Sequence, residues 1–198
     1  MLFRSALYLD TSLTTFVGLV DAVQTPDLSA LAYADYRQGL ALCLSGLPRL
    51  VEEPGDGATR IQLVMAAVLA NRGSQSTFNT RGRSRTTGVD RILRYQYPEI
   101  GQGASNAVLL PAMLRINRDL VPEEQARLAA LLGAEDPADY LDRFLNGLGV
   151  ATRLRDLGVP RDDLPRLARL DAEAPAFGQG ANRISDAGEL TRLLETAW

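Results

Sequence analysis

Side chains able to do chemistry are sparse in this 198-residue sequence and fall into two stretches. Between positions 72 and 99 lie six arginines (Arg72, Arg81, Arg83, Arg85, Arg91 and Arg94) opposed only by Asp90 and Glu99. Arginine forks grip carboxylates and phosphates, so Arg81, Arg83, Arg85, Arg91 and Arg94 are candidate contacts for an anion or an acidic partner. Residues 101–117, GQGASNAVLLPAMLRIN, set Gln102 and Asn106 beside small residues at the head of an apolar run. The rest of the inventory excludes more than it offers. There is no histidine, Cys43 is the one cysteine, and all 21 basic residues are arginine. Ser-His-Asp and Cys-His sites, histidine-ligated metals, and Schiff-base or P-loop lysines cannot be built from these residues.

Those side chains must be positioned by helices. Apolar residues recur at helical spacing from end to end, and no sustained period-2 alternation is bounded by turn pairs, which predicts an all-α, multi-helix bundle. A hydrophobic fraction of 46% supports one globular domain over residues 1–198, and a net charge of -3 gives no pull towards nucleic acid. Thr11 or Ser12 is placed to cap a first helix through Val23, with Leu13, Phe16, Val17 and Val20 as its buried stripe. Ser29 opens a second helix through Leu44, expected to break near Gly46 and Pro48. Residues 58–71 predict a third, with Leu63, Val64, Met65, Val68 and Leu69 buried. Residues 72–88 then predict a long polar loop, and 88–97 a short helix.

Residues 101–117 are apolar on nearly every side, which predicts an enclosed helix kinked at Pro111. Further helices are expected over 122–132, 136–148, 162–170 and 186–198, with a helix end at 154–160 and a loop at 174–182. The apolar runs at 61–70 and 107–114 fall short of the roughly 20 residues a membrane-spanning helix needs. The N-terminal stretch is interrupted by charges and is not expected to be a secretory signal. The expected setting is the cytoplasm.

The stretch Gln102, Gly103, Asn106-Ala107-Val108-Leu109-Leu110-Pro111 and Asn117 resembles the signature helix of the iron-containing alcohol dehydrogenase and maleylacetate reductase family. In that family a metal-ligating histidine and a glycine precede an Asn-Ala-x-x-Leu-Pro run. Residues 154–170 and 182–197 look like later segments of the same family, and 29–48 and 60–70 share its spacing, so the resemblance covers nearly the whole chain. It implies the family's helical, metal-binding C-terminal domain, without a glycine-rich dinucleotide-binding region within these residues.

The family uses NAD(P) and iron or zinc, the metal held by an Asp-x-x-x-His pair and two further histidines about fourteen residues apart. The resemblance puts Thr11 and Thr15 at the first pair, or Asp10 and Thr14 if the register slips by one. It puts Gly88 at the third position in an ungapped count, or Asp90 with two residues deleted, and Gln102 at the fourth. The expectation is a degenerate domain that binds no metal or nucleotide by itself and associates with a protein, either a full-length dehydrogenase relative, another pathway enzyme or its own copy. The alternative is a fragment or split subunit of an NAD(P)- and metal-dependent oxidoreductase. A third is a ligand cleft lined by Gln102, Asn106, Thr15 and Asp90.

Overall fold

A computed structural model describes residues 2–75, 85, 87–175 and 183–198. Among them the chain forms nine α-helices: α1 (Leu2–Val23), α2 (Ala30–Glu52), α3 (Gly57–Gln75), α4 (Val89–Gln96), α5 (Gln102–Asn117), α6 (Pro122–Leu132), α7 (Pro137–Gly147), α8 (Leu164–Glu173) and α9 (Ala187–Ala197). Two short 3-10 turns, Leu154–Leu157 and Arg161–Asp163, lie between α7 and α8. The bundle is all-α, as its periodicity requires.

α5 is the central element. Ten of its sixteen residues are buried, and its side chains divide between two hydrophobic cores. Ala107, Leu110 and Leu114 join Phe16, Leu19, Leu40, Leu47, Leu141 and Leu145 in the first core, built chiefly from α1, α2, α3, α6 and α7. Val108, Leu109 and Ala112 join Leu93, Leu154, Leu164, Leu167, Leu190 and Leu194 in the second, built with α4, α8 and α9. α1 runs parallel to α5. Asp10 meets the α5 N-terminus, and Gln24 meets Gln125, which also donates to the carbonyl of Leu114.

Four expectations from the sequence need correction. α1 begins at Leu2, so Thr11 and Ser12 sit within the helix and cap nothing; the Thr11 hydroxyl donates to the Leu7 carbonyl at 2.9 Å. α2 runs unbroken to Glu52, past Pro48 and its missing donor, with Gly46 packed against Gln62 and Leu63 of α3. α3 extends to Gln75, so the first residues of the expected loop are helical, with Gly73 packed under the Tyr36 ring. Val64, Met65 and Val68, expected in the core, are exposed together with Ile61, whereas Leu63 is buried. Ser29 does cap α2, accepting from the Ala32 N–H at 3.1 Å.

Residues 6–23 of α1 form the one span among the described residues long and apolar enough to cross a membrane, with mean hydropathy 1.3. Leu13, Phe16, Leu19, Val20 and Val23 are buried in the first core, so packing accounts for much of that apolarity.

Candidate functional site

The first turn of any α-helix carries backbone N–H groups without intrahelical acceptors. Gly101 holds an extended backbone ahead of α5 and has no side chain to cap it. The acceptor comes from another helix: Asp10 Oδ1 of α1 accepts the Ala104 N–H at 2.9 Å. Its negative charge also suits the positive end of the helix dipole. This contact requires glycine on the α5 side. A methyl group built on Gly103 would overlap the Asp10 carbonyl oxygen, and one on Gly101 would overlap the Asp10 carboxylate.

The expected site positions are placed as follows around this contact. Gln102 is exposed at the head of α5, and Asn106 is half-buried one turn on. Thr11 is exposed, while the Thr14 hydroxyl donates to the Asp10 carbonyl at 3.3 Å. Thr14 and Thr15 line a groove of about 310 Å³ between α1, α2 and α3, together with Gly18, Ala67, Asn71 and Ser74.

Gly88 and Asp90 belong to the other side of the fold. Arg85 is fastened to the C-terminal end of α5: its N–H donates to Asn117 Oδ1 at 2.6 Å, and Asn117 Nδ2 donates to its carbonyl at 3.0 Å. Its guanidinium forms a two-pronged pair with Glu189 of α9, at 2.8 and 2.5 Å. Gly88 donates its N–H to Asp171 Oδ2 of α8 at 3.1 Å, and the Thr87 hydroxyl donates to the same oxygen. Asp90 pairs with Arg94 at 3.4 Å, and burial pushes its carboxyl above the ordinary range. Across from it, Asp21 is pushed up to about 6 by the crowding of the surrounding protein and by the Asp90 charge, although its surface is open to solvent. Asp21 is eleven residues beyond Asp10, about 16 Å along α1. The structure therefore brings Asp10 and Gln102 to one end of α5, and Arg85 with the segment leading to Gly88 to the other.

Of the candidate anion contacts, Arg85 and Arg94 are engaged with Glu189 and Asp90, and Arg91 is half-buried on α4. Arg81 and Arg83 lie outside the described residues. Arg72, at the start of the arginine-bearing stretch, holds Asp35 through two bonds and keeps that carboxylate below its usual range.

Asp10 accepts a backbone amide through Oδ1, the Thr11 and Thr14 hydroxyls donate along their own helix, and Gln102 supplies a neutral amide. Among the described residues no three Asp, Glu, Cys or His side chains gather as a metal would need.

The most tightly built polar cluster escaped the sequence reading. Asp171 is fully buried; its Oδ1 accepts from Arg183 Nη2 at 2.6 Å, and the Arg183 side chain, 8% exposed, also donates to the carbonyls of Asp171 and Ala174. With Thr87 and Gly88 this ties α4, α8 and the segment before α9 together. A single aspartate in an amphipathic helix carries no sequence signal for burial.

This arrangement of helices is found in known enzymes. A solved 1,3-propanediol oxidoreductase superposes with a TM-score of 0.81 over 98% of this chain and 52% of that one, at 24% identity. The maleylacetate reductase from Rhizobium sp. strain MTP-10005 superposes with a TM-score of 0.74 over 96% of this chain and 52% of that one, at 23% identity. In sequence, the chain is 27% identical to the 1,3-propanediol dehydrogenase of Klebsiella pneumoniae over 177 residues, covering 84% of this chain and 44% of the relative. It is 29% identical to the lactaldehyde reductase of Escherichia coli (strain K12) over 107 residues, covering 48% and 28%. The fold is thus that of the helical half of these oxidoreductases. The chain belongs to the Fe-containing alcohol dehydrogenase family, whose C-terminal model matches residues 21–198. It spans about half the length of the solved relatives it matches.

Proposed function

We propose that this chain is a metal-free, non-catalytic version of the family's C-terminal domain that acts by association with an active dehydrogenase or another enzyme of the same pathway. The observation that carries the reading is at the head of α5. Asp10, the one carboxylate there, serves as a cap for α5, and an exposed glutamine stands at the position where the resembled signature has a ligating histidine. Without a ligand set nothing in this domain would polarise an alcohol or carbonyl oxygen, so the retained helices would serve recognition. The cytoplasmic setting belongs to the same reading. Cys43 is buried, with burial pushing its thiol up to about 12, which suits a packing role and no redox role.

Metal analysis of the chain purified after growth with added iron or zinc tests this directly. The expected metal content is well below one atom per chain; stoichiometric iron or zinc overturns the reading. Co-purification of an active dehydrogenase with the tagged chain, and loss of that enzyme's activity when the chain is removed, are the expected signs of the partnership.

A second reading is favoured by the chain's length relative to the solved relatives: a fragment or split subunit of an NAD(P)- and metal-dependent oxidoreductase of the alcohol dehydrogenase or maleylacetate reductase type. In that case a dinucleotide-binding half, supplied in frame or by another chain, together with this one would bind NAD(P) and reduce an aldehyde or maleylacetate. Neither would do so alone.

A further inference from the structure

We draw no further inference here: the strongest candidate, the groove between α1, α2 and α3, is opened by the small residues Gly18, Ala22, Ala67 and Ala70, which do not by themselves mark a ligand, and nothing in the structure shows what covers it.

Discussion

At the scale of single residues, the α5 head depends on a glycine in its first turn and on a carboxylate from another helix. Gly103 lets the α1 backbone approach, and Asp10 then serves α5 as its cap. Gly103→Ala should therefore cost about 3 kcal/mol or more in urea unfolding, since its methyl meets backbone that cannot swing aside. Gly18, with open space where its methyl would be, is the control: Gly18→Ala should gain about 0.5 to 1 kcal/mol from helix propensity. The sequence displayed both glycines of the α5 head, but it could not show that a carboxylate from another helix explains them. Asp21 gives a pH test. Its folded value of about 6 lies above that of an ordinary carboxyl, so the folded state holds this proton more tightly than the unfolded state. Its contribution to stability is complete below about pH 4 and is lost as pH rises through about 6. Asp21→Asn, which keeps a neutral group, should match the wild type in thermal melts near pH 4 and exceed it above about pH 6; a constant gap across that range would contradict the assignment.

At the scale of elements, the second core depends on polar stitching as much as on its leucines. Asp171 holds Thr87, Gly88 and Arg183 from a fully buried position. Asp171→Ala should cost about 3 to 5 kcal/mol, because Arg183 would be left buried and uncompensated. Chemical denaturation of that variant beside Asp171→Leu with Arg183→Met separates the lost pairing from the lost packing, and the double variant should recover a large part of the stability. Helix existence was legible because apolar spacing and caps such as Ser29 and Asp136 are local signals. Helix limits were less so. α1 starts ten residues before Ser12 because packing sustains it, and α2 passes Pro48 because α3 lies alongside. The α3 stripe misled for a physical reason: a helix apolar on several sides does not reveal which side the bundle covers.

At the scale of the whole molecule, the fold class and family could be read from the Gln102–Asn117 stretch together with the later segments, whereas the geometry of the candidate positions could not. Residues separated by fourteen positions in sequence, such as Gly88 and Gln102, are carried apart by α4 and the turn after it, and only tertiary structure reports that. α5 carries both cores on one rod of sixteen residues. A bundle with a single core can often absorb a changed side chain by sliding the affected helix a little. Here any slide of α5 that relieves crowding at Leu110 or Leu114 opens a void beside Val108 or Leu109. Variation in this helix is therefore confined to replacements that suit two packings at once.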